Sequence, residues 1–460
     1  MDIDRRTFLK GTAAAGTVGA AGAVATGGAS ADVNRSADWG QQETDVEPYD
    51  DYETHRVAAD GSADAETIQA AVDQASARDL ILVEPGVYRE EVEIFDTPQL
   101  TIRGTDREEV ILDGEHEDYN GITAATDGVV VENLTVRNYR GNGIYWTSTN
   151  IDSPVHGYRG SYITAHHIGV YAIYARNAEY GRFEHCYTSG CEDAGFYIGE
   201  SQPAHAVIDD CIAEYNAMGY SGTNAGGDLV LKNSIWRNNM TGIVPNTLDS
   251  QAGAPQGHIA GGIRIENNHI HDNNRLDVPA ISNAYAMYGT GVAIAGGQEN
   301  DIYNNTIENH EKYGVVIFPM ITDTSVTGLP LRILRGYLPL LSDDHFYPPK
   351  DNAVEDNEIN NTGRVDLALG APASGNRFSG NDASSSRPVF LQRRQGSWGD
   401  PMVFLQILRD FTQTEFGYPE GRTEDQPEPD IDAIRNDLDA YEMADIEAPP
   451  RPPLGGLNLE

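Results

Sequence analysis

Short apolar stretches alternate with asparagine-rich polar turns along most of this chain. Residues 227–246, GDLVLKNSIWRNNMTGIVPN, contain three short apolar segments separated by a Lys-Asn turn and an Asn-Asn turn. Each segment is too short to bury its apolar side chains alone. We therefore expect three short strands per unit, with every backbone paired to the units before and after, and the apolar residues stacked into one continuous core.

A glycine followed by an apolar residue marks the third strand of each unit. These glycines lie 26, 26, 24, 23, 49 and 23 residues apart, at Gly143, Gly169, Gly195, Gly219, Gly242, Gly291 and Gly314. A period in the low twenties with three strands per turn resembles the right-handed parallel β-helix repeat family, the solenoid of pectate lyases and their relatives. The resemblance spans roughly residues 60–390. It implies an all-β fold, a right-handed parallel β-helix.

Helical patterns flank the repeats. Ile68, Ala71, Val72 and Ala75 share one helical face, and the following LVEPGVYREEV resembles the entry of pectate-lyase-like solenoids, where a helix caps the open end. A second amphipathic pattern follows Asp400-Pro401 and predicts a cap at the far end. We expect the β-helix over 60–398, with insertions at about 274–289 and 320–350, and a capping helix with an acidic, proline-rich tail over 399–460.

The N-terminus reads as a targeting segment. Asp4 to Lys10, DRRTFLK, resembles the twin-arginine export motif, and a weakly apolar alanine/glycine stretch follows up to a small-residue cleavage site at 29–31. A membrane anchor is the alternative, but this stretch is a poor transmembrane helix. We expect a signal peptide over 1–31, an acidic flexible linker over 32–59, and a secreted or cell-surface protein free of the membrane after cleavage.

The chain is strongly acidic, with a formal net charge of −40 and 31 Lys and Arg residues against 71 Asp and Glu. The carboxylates are scattered along the sequence, which resembles haloarchaeal proteins that keep their surfaces hydrated in concentrated salt. An acidic face for a basic partner or for calcium is the alternative. The charge argues against nucleic acid or an anionic membrane as partner.

Three cysteines occur, at Cys186, Cys191 and Cys211. Cys186 and Cys211 fall in the same column of neighbouring coils, about 4.8 Å apart, where either a disulfide or a pair of small apolar residues fits. No Cys/His spacing matches a zinc site, so no metal site is predicted. Calcium is a candidate cofactor only through the resemblance to pectate lyases, and no cluster of calcium-binding aspartates is clear.

The glycine strands predict an outward-facing aromatic column. If the residue after each glycine points inward, the next points outward, which places Tyr145, Tyr171 and Tyr197 on one face of three consecutive coils. A tyrosine offers a ring for stacking on sugars and a hydroxyl for hydrogen bonding. We interpret the column as a polysaccharide-binding surface, with an aromatic ladder that only stabilises strand stacking as the alternative.

Acidic, basic and cationic side chains flank that column. His167 and Asp193 precede the glycine strands, and Arg176 and Glu200 follow them. In enzymes of the resembling β-helix family the polysaccharide lies along such a face. We therefore hypothesise that His167 or a neighbour acts as base, that Asp193 or Glu200 acts as acid, and that Arg176 neutralises a uronate. Solvated surface carboxylates are the alternative reading of the acids, and a turn-stabilising hydrogen bond that of His167.

The predicted function is an exported, halophilic β-helix protein that binds a polysaccharide and cleaves or epimerises it, as a lyase, glycoside hydrolase or epimerase. The sequence leaves the oligomeric state open. The rival is a non-catalytic extracellular binding or structural protein. A third hypothesis is similarity to the β-helix accessory proteins of copper-enzyme maturation, which the lack of a Met/His/Cys cluster disfavours. Signatures of polygalacturonases and pectin methylesterases are incomplete or absent, and the fold alone does not define an activity.

Overall fold

The computed structural model of the chain describes residues 52–150, 153–248, 260–280, 285, 287–321, 346–393 and 399–414. Nearly all of its strands belong to two parallel sheets, one of 21 strands and one of 11. Each strand pairs with the strand one coil before and one coil after. The chain is therefore an all-β parallel solenoid, as predicted.

The strands form three columns along the solenoid. The first column contains Thr54–Val57, Leu80–Val83, Thr101–Gly104, Ala178–Glu184, Ala206–Asp209, Gly226–Lys232, Gly261–Glu266, Asp301–Tyr303, Ala353–Glu355 and Arg377–Ser379. The second contains Gly86–Tyr88, Val110–Asp113, Tyr187–Ser189, Ile212–Glu214, Ile235–Arg237, His269–His271, Thr306–Glu308, Glu358–Asn360 and Asp382–Ala383. Two longer strands, Val129–Arg137 and Val155–His166, run through both columns and join them into the larger sheet.

The third column is the 11-stranded sheet. Its strands are Val92–Ile94, Ile122–Ala124, Ile144–Thr147, Tyr171–Arg176, Ala194–Gly199, Met218–Thr223, Thr241–Asn246, Thr290–Ala295, Tyr313–Phe318, Val365–Leu369 and Ser386–Arg387. A short antiparallel pair, Met320–Ile321 with Phe346–Tyr347, lies outside the columns. The interior is a continuous apolar core in which Trp146 and Trp236 are fully buried.

The asparagine-rich turns have two separate tasks. In Asn304-Asn305, between the first and second columns, Asn304 adopts a left-handed conformation with φ of +55°, which asparagine tolerates better than most residues. The side chain of Asn305 points inward, and its Oδ1 accepts the backbone N–H of Asn268 one coil earlier at 3.0 Å. Asn357 then accepts the N–H of Asn305 at 3.0 Å. The repeated dipeptides thus build an asparagine ladder that locks neighbouring coils together.

The ladder ends at a glutamine. Asn381 is the last asparagine in it, and its N–H donates to Oε1 of Gln392 at 3.0 Å, while Nε2 of Gln392 donates to the carbonyl of Asn381 at 3.1 Å. Gln392 belongs to the short 3₁₀ helix Leu391–Arg393, which packs beside the last coil. The side chain of Gln392 therefore forms the two hydrogen bonds to the Asn381 backbone that a further coil would form.

At the N-terminal end the predicted boundary of the linker is wrong. The linker was predicted over 32–59, yet Thr54–Val57 forms the first strand and pairs with Leu80–Val83. This strand has only four residues, so the alternation that places polar Thr54 and Arg56 on one face is too short to identify from the sequence. Helix α1, Ile68–Val72, lies where predicted and buries Ile68, Ala71 and Val72 against the core of the first coils.

At the C-terminal end, helix α2 spans Pro401–Thr414, with Asp400 accepting the N–H of Met402 at 2.8 Å. Val403, Phe404 and Ile407 are buried in a cluster with outward residues of the third column. Asp410 forms ion pairs with Lys312 at 3.0 Å and Arg364 at 2.6 Å. The helix therefore covers the side of the last coils instead of closing the open end, which corrects the prediction of an end cap.

Both predicted insertions leave the columns. Between the strands His269–His271 and Thr290–Ala295, the buried side chains of Val278, Tyr285 and Met287 pack on the outer face of the third column. The antiparallel pair Met320–Ile321 with Phe346–Tyr347 forms the base of the second excursion. The rest of that excursion, the signal segment, most of the linker and the acidic tail lie outside the described residues. No helix within the described ranges is long and apolar enough to cross a bilayer.

Candidate functional site

The outer face of the third column carries a tyrosine cluster, but its register differs from the predicted one. Tyr145 pairs with Tyr174, and Tyr174 with Tyr197, so these three tyrosines share one row. Tyr171 was predicted in that row and instead pairs with Ala194, at the start of the strand. In the strand after Gly169, Ile173 pairs with the inward-facing Ile144. The prediction that the residue after each glycine points inward is therefore displaced by three residues in this coil.

The tyrosine cluster consists of Tyr145, Tyr171, Tyr174 and Tyr197. The rings of Tyr145 and Tyr174 stack in parallel at 4.3 Å, and Tyr171 contacts Tyr174 at 4.7 Å and Tyr197 at 4.2 Å. Tyr145, Tyr174 and Tyr197 are only 3%, 9% and 6% exposed. The predicted aromatic face therefore exists as a closely packed cluster, and it is mostly covered instead of forming an open stacking surface.

A glycine shapes this cluster. The ring of Tyr197 lies over Gly199, two residues along the same strand, where a Cβ atom would come within 2.1 Å of the ring. The hydroxyl of Tyr197 accepts the backbone N–H of Thr223 on the next coil at 3.3 Å. The ring of Tyr197 is thereby fixed along the strand, and its hydroxyl reaches the polar positions of the following coils.

Asp193 is the most perturbed carboxyl group of the predicted site. It lies just before the strand Ala194–Gly199 and is 8% exposed, and burial raises its pKa to about 7 although its hydrogen bond with Tyr171 opposes the shift. Burial and the nearby Asp193 charge both raise the pKa of the Tyr171 hydroxyl. A carboxyl with a pKa near neutrality can donate or accept a proton at physiological pH, which is the property needed in general acid–base chemistry.

Arg176 and Glu200 pair with each other at the opposite end of these strands. The Arg176 Nε donates to a carboxylate oxygen of Glu200, and the two side chains are 12% and 11% exposed. The nearby Tyr145 and Glu200 charges raise the pKa of Arg176 above its usual value despite burial. The Arg176 charge is already balanced within the protein, so a substrate carboxylate would have to displace Glu200.

The two alternative candidate acids, Asp193 and Glu200, are too far apart to act together on one bond. The strand Ala194–Gly199 separates Asp193 from Glu200, and a strand rises about 3.3 Å per residue, so the two backbones are about 23 Å apart along an extended strand. Glycosidase carboxyl pairs lie about 5–10 Å apart. Tyr171 with Asp193, and Arg176 with Glu200, are therefore two separate groups joined by the tyrosine cluster.

His167 lies in the turn that precedes the third column. Its Nδ1 is 2.7 Å from Nδ1 of His166, so one of the two rings donates and the other accepts. His166 is buried, which together with the nearby His167 lowers its pKa to about 3 and keeps it neutral. The backbone N–H of His167 donates to the carbonyl of Ser189 at 3.0 Å. These contacts of His167 hold a turn between coils.

Sequence reasoning missed Tyr174, which shares the row of Tyr145 and Tyr197. Ser221 and Val244 continue the row on the next two coils. The Thr223 hydroxyl donates to Asn246 at 2.8 Å, and Asn246 donates to Ser221 at 3.3 Å. Aligning Ile173 with Phe196, instead of aligning the glycines, would have found Tyr174, because inward-facing apolar residues define the coil register more directly.

Farther along the third column, apolar residues cover the outer face. Met240, Val244 and Val316 are buried there in one cluster with the first insertion and helix α2. The outer face of these later coils is therefore packed against other parts of the chain. Within the part of the chain that the structure describes, no group of three or more His, Cys, Asp or Glu residues surrounds a common point as metal ligands do.

The cysteines are core residues. Cys186, Cys191 and Cys211 are all buried with free thiols. Cys211 occupies the ladder position in its coil, and its N–H donates to Oγ of Ser234 at 3.0 Å. In this structure Cys186 and Cys211 are stacked thiols in the turn between the first and second columns.

Comparisons with known proteins agree with the architecture. A family model described as "Right handed beta helix region" matches residues 154–328. The fold is accordingly a right-handed parallel β-helix. No curated protein matches the chain significantly.

Among solved structures, the A-module of a mannuronan C-5 epimerase from Azotobacter vinelandii is 14% identical, covers 69% of this chain and 90% of its own, and has a TM-score of 0.45. A family 6 polysaccharide lyase from Pseudopedobacter saltans is 13% identical, with coverages of 83% and 94% and a TM-score of 0.39. The Dettilon tailspike protein is 11% identical, with coverages of 73% and 68% and a TM-score of 0.40. Similarities at this level concern the fold and do not assign an activity.

Proposed function

We propose that this protein binds an extracellular polysaccharide at the tyrosine cluster and transfers protons on it through Asp193 and Tyr171, in a lyase or epimerase reaction. The observation that carries the proposal is the buried position of the Asp193 carboxyl, 8% exposed, directly before the strand that carries Tyr197 of the tyrosine cluster. Burial raises its pKa to about 7, which supports the same role. Aromatic rings next to a group of this kind match the needs of sugar binding and acid–base catalysis.

Proton transfer fits the geometry better than hydrolysis. Hydrolysis by two carboxyl groups needs a second carboxyl group close to Asp193, and the other candidate acid, Glu200, lies at the far end of the strand. Removal of a proton beside a uronate carboxylate needs one acid–base group and a cation. Asp193 supplies the acid–base group. Arg176 lies at the opposite end of these strands, so it would bind the carboxylate of another sugar unit of the polymer in place of Glu200, and the cation beside the reacting unit has to come from elsewhere, such as the calcium ion tested below.

The second candidate is a non-catalytic binding or structural protein. The observation that favours it is the low exposure of Tyr145, Tyr174 and Tyr197, because a polymer would have to part the covering groups before it could stack on the rings. In that case the Tyr171–Asp193 and Arg176–Glu200 pairs stabilise the packing of successive coils.

The acidic composition and the N-terminal motif support export into concentrated salt. The net charge of −40 favours a hydrated surface, and Arg5-Arg6 begins a motif of the twin-arginine type. We expect replacement of both arginines by lysine to retain the protein in the cytoplasm, as judged by cell fractionation. Unchanged export of that variant would contradict this route.

The test of catalysis uses the full mature chain in molar salt, with and without calcium, on uronate and neutral polysaccharides. Unsaturated ends report a lyase, deuterium incorporation at C5 from heavy water reports an epimerase, and reducing ends alone report a hydrolase. We expect Asp193→Asn and Tyr171→Phe each to lower the rate by about 10²–10⁴-fold. Asp228→Asn, at a carboxylate that binds His205 in another turn, is the matched control.

A folded protein that is inactive on every polymer would overturn the catalytic proposal. Retention on immobilised polysaccharide then separates the two remaining possibilities. Loss of retention in Tyr174→Ala and Tyr197→Ala would identify a binding protein, whereas unchanged retention or no retention by the wild type would leave a structural role.

A further inference from the structure

Two histidines stand side by side on the outer surface of the second column, away from the tyrosine cluster. In the strand His269–His271, Ile270 is fully buried in the core, and the histidines on either side of it point outward. Their rings stack with centroids 4.1 Å apart. The sequence motif His-Ile-His thus places two imidazoles on the same face of one strand.

Carboxylates contact both rings. Glu308, on the next coil, is in register with His271, and its Oε1 lies 2.9 Å from Nε2 of His269. Asp272 follows directly in the turn, and its Oδ2 lies 2.7 Å from Nδ1 of His271. Two imidazoles and two carboxylates from neighbouring coils therefore contact one another in pairs, as His269 with Glu308 and His271 with Asp272.

We propose that His269, His271 and Glu308 bind a divalent transition-metal ion of the zinc or copper type, with Asp272 orienting His271. Two imidazole nitrogens, one carboxylate oxygen and a water molecule form a usual tetrahedral ligand set for Zn²⁺. This inference is independent of the function proposed for the third column.

The hydrogen bonds prepare the correct nitrogen atoms. Asp272 accepts a proton from Nδ1 of His271, which leaves the lone pair on Nε2 for a metal ion, as in metal sites where a carboxylate holds the second nitrogen of the ligand. His269 Nε2 already faces Glu308, and a metal ion would replace the shared proton between them.

The side chains must rotate to close the site. Among the described residues no three such ligands already converge on one point, and the stacked rings of His269 and His271 have to turn toward a common centre. The side chains of His269, His271 and Glu308 are 44%, 18% and 33% exposed, so this movement does not disturb the core. Arg237, the cation on the preceding coil, is paired with Glu214 at 2.7 Å, which limits its repulsion of a metal ion.

Other histidines of the chain provide the contrast. His205 is held by Asp228 at 2.9 Å and stacks on Tyr180, and His185 is held by Asp210 at 2.9 Å and stacks on Tyr162. Each of these histidines has a single carboxylate partner and an aromatic neighbour instead of a second imidazole. If metal ions bound any exposed histidine, they would also bind His185 and His205. The proposed site predicts that they do not.

The experiment is calorimetric titration of the full mature chain with ZnCl₂ in a chelator-free, high-salt buffer near pH 7.5. We expect one bound ion per chain, and a loss of affinity of at least about tenfold in His269→Ala, His271→Ala and Glu308→Gln. Asp272→Asn should weaken binding by about 10–100-fold through His271, the range seen for groups that orient a metal ligand. His205→Ala, the matched control, should bind like the wild type.

A second measurement keeps the proposal testable if a variant fails to fold. Electron paramagnetic resonance of the wild-type protein with one equivalent of Cu²⁺ should show coupling to two nitrogen nuclei. Absence of nitrogen coupling, or unchanged zinc affinity in the folded double variant His269→Ala/His271→Ala, would overturn the site. Equal losses in His205→Ala and His271→Ala would also overturn it, because binding would then be nonspecific.

Discussion

Asp193 differs from most carboxylates of this acidic chain because it is buried and neutral in part at physiological pH. Its pKa rises from an ordinary value of 3.8 to about 7, chiefly through burial. The unfolded chain therefore releases this proton at lower pH than the folded chain. Folding stability that comes from Asp193 is full below about pH 4 and is lost as the pH rises through 7.

Replacement of Asp193 by asparagine should remove this pH dependence, because the amide keeps the shape and cannot ionise. Between pH 5 and pH 8 the wild type should lose about 3 kcal/mol of unfolding free energy relative to Asp193→Asn. Urea denaturation of both proteins at the two pH values measures the difference. The exposed Glu358→Gln serves as control, and a pH-independent difference for Asp193→Asn would show that the carboxyl is ionised in the folded protein.

For individual residues, the sequence indicated which side chains lie beside the glycine strands but not which of them contact one another. Asp193, Arg176 and Glu200 were all identified from their positions beside the glycine strands. Their pairing was not visible, because Tyr171 with Asp193 and Arg176 with Glu200 contact across coils. Register between coils decides these contacts, and a change of a few residues in one turn alters it.

Among the elements, the asparagine ladder between the first and second columns does most to define the coils. Asn305 is 1% exposed, and its amide donates to the carbonyl of Ile265 at 2.8 Å and to Oδ1 of Asn357 at 2.9 Å. Its Oδ1 accepts two N–H groups from Asn268. An apolar residue at this position would leave several buried polar groups of adjacent coils without partners.

We expect Asn305→Ala to lower the free energy of unfolding by about 2–4 kcal/mol, since removal of one partner exposes the full desolvation cost of the groups left behind. Chemical denaturation followed by circular dichroism measures the loss. Asn360→Ala, at an exposed asparagine in the second column of the same region, should change stability by less than about 0.5 kcal/mol. Similar losses in both variants would contradict a specific role for the ladder.

The repeated elements were predictable because each coil repeats the same local chemistry. A left-handed turn residue, an inward amide and a short apolar strand recur in the order seen in Asn304, Asn305 and Ile307. Elements outside the repeat were harder to place. Helix α2 was recognised from its apolar face, but its contact with the side of the solenoid depends on Asp410 meeting Lys312 and Arg364, which are distant in sequence.

At the scale of the whole molecule, the outer face of the first column differs from the overall composition, because its charged side chains of opposite sign are paired. On the outer face of that column, Arg182 and Lys232 both pair with Asp209, at 3.2 Å and 3.5 Å, and Arg159 pairs with Glu184. These groups are half-buried and mutually compensated. The net charge of −40 is a property of the whole sequence, and it is carried by carboxylates without such a partner, which repel one another.

Salt should stabilise this protein by screening that repulsion. The Debye length falls from about 10 Å at 0.1 M to about 3 Å at 1 M salt, and half-buried pairs are screened much less than exposed charges. We expect the melting temperature to rise with NaCl between 0.1 and 2 M. Na₂SO₄ at equal ionic strength distinguishes screening from ion-specific effects, and a melting temperature that falls with NaCl would show that ion pairs outweigh repulsion.

The glutamine at the end of the ladder limits the molecule's length. A stack of identical coils could in principle grow by adding a second molecule to its exposed last coil, since the hydrogen-bonding groups there match those of a first coil. Gln392 uses the N–H and carbonyl of Asn381 itself. Coils can therefore be inserted or deleted within the stack, where each coil has the same kind of neighbour. End-to-end association of two molecules, in contrast, has to displace Gln392, which already binds where the next coil would bind.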